Sequence, residues 1–194
     1  MNKAERTRQL IIEKTAPIFN KKGYAGTSLS DMTDATGLTK GSIYGNFSDK
    51  DEVAVAAFDH NMQLLRNATL AEMAGQPTAR GKLLAMLDVY VNIHKMPVAE
   101  GGCPIMNTTV DADDTHPRLK AKVEEVVLAW KKRVAQVIET GIAGGEFRSG
   151  VNAEQAALTL FALIEGAILI RRATDKASYY KLVLDTARKM VNEF

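Results

Sequence analysis

The stretch GLTKGSIYGNF, Gly37 to Phe47, follows a polar segment that starts after Gly26 and runs into the charged SDKDE, Ser48 to Glu52. Ser28 or Ser30 can cap a helix reaching about Thr36, because a short hydroxyl side chain accepts from the orphan amides of a first turn. Gly37 can take the left-handed conformation that ends such a helix. Thr39 can then cap a second, short helix starting at Lys40. Met32, Ala35, Leu38, Ile43 and Phe47 supply apolar faces that hold this pair against the preceding helix. The opposite face carries Thr39, Lys40, Ser42, Tyr44 and Asn46, and small Gly41 and Gly45 permit close approach of a partner. Hydroxyls, an amide, a cation and an aromatic at the exposed start of a helix are the groups that contact phosphates and base edges. A helical hairpin with a merely polar outer face would read the same way on these residues alone.

Outward from this stretch the pattern is helical nearly everywhere. Ile12, Ala16 and Phe19 form one stripe, Val53, Ala57, Leu64 and Ala68 another, and Leu83, Met86, Leu87, Tyr90 and Ile93 a third. Leu119, Val123, Val127, Trp130, Val134, Val137 and Ile138 mark a long helix, and Tyr180, Val183, Leu184, Ala187, Met190 and Val191 mark the last. Breaks are expected at Gly23–Gly26, AGQPTARG (74–81), PVAEGGCP (97–104), DADDTHP (111–117) and GIAGGEFRSG (141–150). The fold class is all-α.

The chain has 194 residues, 46% of them hydrophobic, enough for a substantial core. Its single cysteine, Cys103, excludes an internal disulfide, and MNKAERTRQLIIEKTA lacks the apolar run of a signal peptide. A cytoplasmic protein is expected. The most apolar run, Ala156 to Ile170, contains Glu165 and stops at Arg171 and Arg172, short of the roughly 20 residues a bilayer requires, so no membrane partner is expected. Net charge is +2, but residues 1–50 alone carry +3, from eight basic and five acidic side chains. That bias is compatible with phosphate binding at the N-terminal end and equally with a solvated surface.

GYAGTSLSDMTDATGLTKGSIYGNFSDKDEVAVAAF, Gly23 to Phe58, resembles the DNA-binding region of the TetR family of bacterial repressors. The likeness rests on the Gly23–Tyr24 pair closing the first helix, the Thr27–Ser28 cap, the recognition segment from Gly37 to Tyr44, and Phe47 followed by Lys50. It covers about 50 N-terminal residues, and the remainder fits by helix count. Two departures stand out. Gly45 and Asn46 replace the tyrosine and histidine that often follow the recognition tyrosine, which shortens side-chain reach, and Pro17 should bend or break the first helix locally.

The resemblance implies a three-helix DNA-binding head, residues 1–47, and a helical effector-binding and dimerisation body, residues 48–194, linked by a helix from about residue 50. It implies DNA contacts from Thr27, Ser28, Thr39, Lys40, Gly41, Ser42, Tyr44, Asn46 and Lys50. The expected partners are a double-stranded operator, a small-molecule effector and a second copy of the chain. AEQAALTLFALIEGAILI, Ala153 to Ile170, supports the last independently, being apolar on every side. Leu158, Ala162, Gly166 and Leu169, with Tyr180 and Leu184 of the last helix, are the expected interface; a central helix of a monomer is the alternative.

The expected effector pocket draws on Phe58, Met62, Leu65, Met86, Tyr90, His94, Cys103, Met106, Trp130, Phe161 and Glu165, with Ile93 and Ile105 nearby. Each apolar member also suits ordinary core filling, whereas His94 and Glu165, if buried, would require polar partners. Cys103 precedes Pro104 at a helix start, where a thiolate is favoured; redox or electrophile sensing competes there with burial as a small hydrophobe. Asp111, Asp113, Asp114 and His116 cluster in DADDTH, but paired Glu-x-x-His motifs of a di-metal bundle are missing, and His116–Pro117 reads as a helix start. No phosphate-cradling glycine loop or nucleophile elbow occurs. No catalytic residue, metal or cofactor is therefore assigned. A nonspecific DNA-binding protein is the other alternative, although so large a body is unnecessary for that task.

Overall fold

The computed structural model describes residues 2–96, 98 and 100–194. Nine α-helices occur among them: α1 Lys3–Gly26, α2 Leu29–Thr36, α3 Lys40–Tyr44, α4 Lys50–Ala74, α5 Ala79–Val91, α6 Pro104–Ala112, α7 Pro117–Ala143, α8 Ala153–Thr174 and α9 Ala177–Asn192. A 3-10 turn, Ile93–Lys95, follows α5, and no strand occurs among the described residues. Pro97 and Ala99, within the break expected at 97–104, lie outside the described residues.

Local chemistry accounts for the helix ends. Asn2 and Glu5 close a capping box on α1, and Ser28 and Asp31 close one on α2. Pro17 does not interrupt α1. Its missing amide leaves only the carbonyl of Glu13 without an intrahelical donor, and Glu13 faces solvent, so water can satisfy that oxygen. The interruption comes instead at Gly23, whose φ of 74° is costly for any residue with a Cβ, and a Cβ there would meet the Asp111 carboxyl at 3.0 Å. The next amide, of Tyr24, donates to Asp111 Oδ2 at 2.5 Å.

Contacts group the chain into two compact units, Met1–Leu65 with Pro97–Glu125, and Arg66–Met96 with Val126–Phe194. The grouping thus differs from a division at residue 47, since the first half of α4, all of α6 and the start of α7 go with the N-terminal helices. In the first unit α1 packs on α2 and on α6. Ile11, Met32, Ile43 and Val53 are wholly buried there, with Ala16 and Phe47 nearly so. Asn20, itself buried, donates from Nδ2 to the carbonyls of Val98 (2.8 Å) and Gly102 (3.0 Å), tying α1 to the loop before α6. Asn107 returns the tie by donating to Asn20 O at 2.9 Å. Unpaired, these amides and carbonyls would be costly to bury; paired, they specify one arrangement.

In the second unit α5 and α8 both pack on α9. Leu83, Leu87, Ile138, Leu160, Leu184 and Val191 are buried at its centre. Glu146 caps α5 from a distance, accepting from the amides of Ala79 (2.8 Å) and Arg80 (2.9 Å). Helix α8 is longer than expected from composition. At 22 residues it is long and apolar enough to cross a membrane on length alone, so the length argument against a span fails. It nonetheless packs on α9, and its Ala156, Ala157, Leu160, Ile164, Ala167 and Ile168 are buried.

Two expected interface residues are corrected by their burial. Tyr180 and Leu184 face the core of their own chain, the Tyr180 hydroxyl donating to the carbonyl of Tyr90. The 3.6-residue stripe of α9 marks a buried face without showing what buries it, and here the chain's own core does. The expected Leu158 and Leu169 are exposed on α8, together with Ile170, and on α9 the exposed large apolar side chains are Tyr179 and Leu182, with Leu169 54% and Leu182 64% exposed. Ala162 is also exposed, and half-buried Gly166 has open space where a Cβ would stand.

Candidate nucleic-acid interface

The segment from Ser28 to Phe47 forms helix, turn and short helix as the sequence predicts. The Ser28 hydroxyl accepts from the amide of Asp31 at 3.1 Å, Gly37 ends α2 at φ 68°, and the Thr39 hydroxyl accepts from the amide of Ser42 at 3.2 Å. Met32 and Ile43 project inward and are wholly buried, while Phe47 is 2% exposed. Burying the apolar face fixes the opposite face outward. Thr39, Lys40 and Gly41 are exposed, and Ser42 and Tyr44 are half-buried beside them.

Other predicted contacts are engaged inside the protein. Thr27 is corrected: it is 1% exposed and its hydroxyl donates to Gly23 O at 2.7 Å, so it closes α1 and cannot offer a side chain outward. Ser28 is exposed, although its hydroxyl already caps α2 and meets Asp31 Oδ2 at 2.9 Å. Asn46 spends Nδ2 on Ser42 O at 2.9 Å. Lys50 is half-buried, its ammonium 4.3 Å from the centre of the Tyr24 ring.

Residues that sequence reasoning missed hold this surface in place. Arg8 of α1 lies over the Phe47 ring, its Cζ 3.9 Å from the centre, donates to the carbonyl of Asn46, and pairs with Glu52 Oε1 at 2.6 Å. It thereby ties the end of α3 to the start of α4. Glu52 also accepts from the amide of Ser48 at 2.8 Å; that bond, with Arg8, holds its carboxyl down at about 2. Lys22 at 2.6 Å, with Ser28, holds Asp31 at about 2. No local pattern announces Arg8, whose partners are about forty residues away.

A second tie involves Tyr24, Asp51 and His116. The Tyr24 hydroxyl donates to Asp51 Oδ1; this bond pushes the phenol up to about 12 and holds the carboxyl below its ordinary value. The His116 ring meets Tyr24 edge to face at 4.4 Å, and its Nδ1 accepts from the amide of Leu119 at 3.2 Å, capping α7. Its Nε2 stands 3.5 Å from Asp51 Oδ1. The helix start read at His116–Pro117 is present, and Asp111 and His116 serve as cap and tie.

The predicted pocket residues divide between the two units. Phe58, Leu65 and Cys103 are buried in the first unit, where Met62 and Met106 are half-buried. Phe58 lines a cavity of about 20 Å³ with Asn20, Tyr24, Asn61 and Asp111, room for roughly one water. Met86, Tyr90 and Trp130 are buried in the second unit, with Phe161 and Glu165 half-buried. There Trp130 Nε1 donates to Tyr90 Oη at 3.2 Å, and the Trp130 and Phe161 rings meet at 5.3 Å. His94 is corrected: the 3-10 turn carries it outward, exposed.

The N-terminal helices and the body each match a known domain. Residues 11–57 match the family described as bacterial regulatory proteins, tetR family, and residues 79–187 match the tetracyclin repressor-like C-terminal domain. The chain belongs to the TetR family of transcriptional regulators. A TetR-family regulator from Cytophaga hutchinsonii has 45% sequence identity and a TM-score of 0.91, the match covering 99% of this chain and 96% of that one. Another, from Chloroflexus aurantiacus, has 36% identity and a TM-score of 0.94, covering 100% and 98%. The transcriptional repressor DhaR of a Mycobacterium species is 26% identical over 165 residues, 84% of this chain and 80% of that protein. This TetR-family chain is accordingly all-helical, with a helix-turn-helix DNA-binding region.

Proposed function

We propose that this TetR-family chain is a repressor that binds a palindromic operator as a homodimer and is released from it by a small apolar or amphipathic effector. The observation that carries the reading is the outward face of α3. Thr39, Lys40 and Gly41 stand free of the core that Met32, Ile43 and Phe47 anchor, with Ser42 and Tyr44 at their side. In this reading residues 1–47 are the DNA-binding head, the side chains of Thr39, Lys40, Ser42 and Tyr44 reach base edges and phosphates while Gly41 permits close approach, and Lys50 contributes a phosphate contact. The exposed stripe of Leu158, Ala162 and Leu169, with Leu182, supplies a self-complementary face. Similarity to the transcriptional repressor DhaR supports repression. The effector acts only through differential affinity for two states of the body; a 100-fold preference corresponds to about 2.7 kcal/mol.

Fragmented DNA from the chromosome that encodes the chain, challenged with excess scrambled duplex, tests the reading. Retention of a few fragments sharing one motif supports it. Uniform loss of all fragments to the competitor supports a nonspecific binder instead.

A further inference from the structure

Helix α3 is too short to hold itself. It has five residues, Lys40–Tyr44, whereas an isolated helix of fewer than about 12 is marginal in water, and Gly41 and Gly45 lower its propensity further. Its start is fixed locally, by the Thr39 hydroxyl accepting from the amide of Ser42 at 3.2 Å. Its middle is fixed by the burial of Ile43. Its end depends on other segments. The amides of Asn46 and Phe47 donate to Ile43 O at 3.0 and 3.1 Å, and Ser48 and Asp49 then lead into α4.

Half-buried Arg8 supplies the tie from α1. Its Nη1 donates to the carbonyl of Asn46, its Nη2 donates to Glu52 Oε1 at 2.6 Å, and its Cζ stands 3.9 Å from the centre of the Phe47 ring. Glu52 in turn accepts from the amide of Ser48 through Oε2 at 2.8 Å, so Asn46, Phe47 and Ser48 are each held by this one ion pair. A cation at the C-terminal end of a helix also suits the partial negative charge there. The carboxylate at 2.6 Å already neutralises the guanidinium, and a DNA phosphate would have to displace it. The charge of Arg8 is therefore engaged inside the first unit, unlike that of exposed Lys40 on α3.

We propose that Arg8 is a positioning residue for operator recognition, which holds the Tyr44 end of α3 in its reading orientation and touches neither base nor phosphate. Thr39, at the other end, is set by its own turn and does not depend on Arg8. The planar guanidinium is what the role requires, since it can lie flat on Phe47 while its two terminal nitrogens reach a carbonyl and a carboxylate in different directions. A lysine offers the charge without that geometry. The inference rests on the DNA-binding reading above and assigns selectivity to a side chain outside the recognition surface.

The test is selection from a random-sequence duplex pool by the full-length chain, unaltered and as Arg8→Lys, Arg8→Met, Glu52→Gln and Tyr44→Ala. The Arg8 and Glu52 variants should relax the same base positions that Tyr44→Ala relaxes and keep the preference at the others. On the duplex selected by the unaltered chain, affinity relative to a scrambled duplex of equal length should fall about tenfold in each, Arg8→Lys included. The salt slope on the scrambled duplex should not change in Arg8→Met. A phosphate contact would instead lower that slope by about 1 in Arg8→Met and be restored by Arg8→Lys, which overturns the proposal. A merely weakened fold would bind less of every duplex with its base preference intact, and that result overturns it too. Thermal melting checks that each variant folds; where Arg8→Met does not, Arg8→Lys and Glu52→Gln carry the comparison. A motif selected by the unaltered chain and kept by Arg8→Lys sinks this inference alone, whereas a pool that stays random with the unaltered chain sinks the DNA-binding reading with it.

Discussion

The ammonium of Lys50 lies 4.3 Å from the centre of the Tyr24 ring, which places the first residue of α4 against the last turn of α1. A lysine held this way has little rotamer freedom left to lose on meeting a phosphate. Lys50→Ala should weaken binding to all duplexes alike and reduce the salt slope of log affinity by about 1 unit. Anisotropy titrations across a salt series measure it, and an unchanged slope removes Lys50 from the phosphate contacts.

Tyr24→Phe should lower the stability of the first unit by about 1.5–3 kcal/mol, the range for a hydrogen bond to a charged group. The ring, its contact with His116 and the Lys50 stack would all remain. Urea unfolding followed by circular dichroism reads the change. No loss would mean that water replaces the hydroxyl beside Asp51.

Acid should loosen the same region. Glu52 and Asp31 sit at about 2 in the folded chain, below their ordinary values of 4.5 and 3.8. A depressed carboxylate contributes stability above its unfolded pKa and loses it as pH falls through the folded one. The loss should therefore run from about pH 4.5 down to about 2, and Glu52→Gln should flatten its upper part. Tyr24 sets the alkaline limb: with its phenol at about 12 rather than 10.0, its contribution is present below pH 10 and is lost as pH rises toward 12. Helicity measured across pH should show both limbs.

Gly37→Ala should destabilise the head by about 1–2 kcal/mol, since a Cβ opposes the left-handed conformation although the space around it is open. The turn was readable in sequence because its determinants are local: Ser28, Gly37 and Thr39 act within four residues of their partners. The all-α class was readable for the same reason, from periodicity. Arg8, Tyr24 with Asp51, and the Asn20–Asn107 clasp were not, because each joins segments from 27 to 87 residues apart with no pattern on either side. Tyr180 and Leu184 misled because a stripe shows that a face is buried without showing what buries it. His94 misled because a turn, not a helix, carries it.

Leu169→Glu should weaken self-association by about tenfold or more, because a carboxylate would then be buried in the proposed apolar contact. Sedimentation at micromolar concentration checks this. A chain that is monomeric before substitution would contradict the dimer outright.

The most direct test of the central claim is selection of bound duplexes from a random-sequence pool. A two-fold symmetric motif should emerge, its half-sites about one helical turn apart, roughly 34–36 Å, or a multiple of that. Substituting Tyr44 or Thr39 should alter the bases chosen within each half-site, because these side chains face outward from α3. A pool that stays random through the rounds, with retention no greater than for a scrambled duplex, would contradict the account.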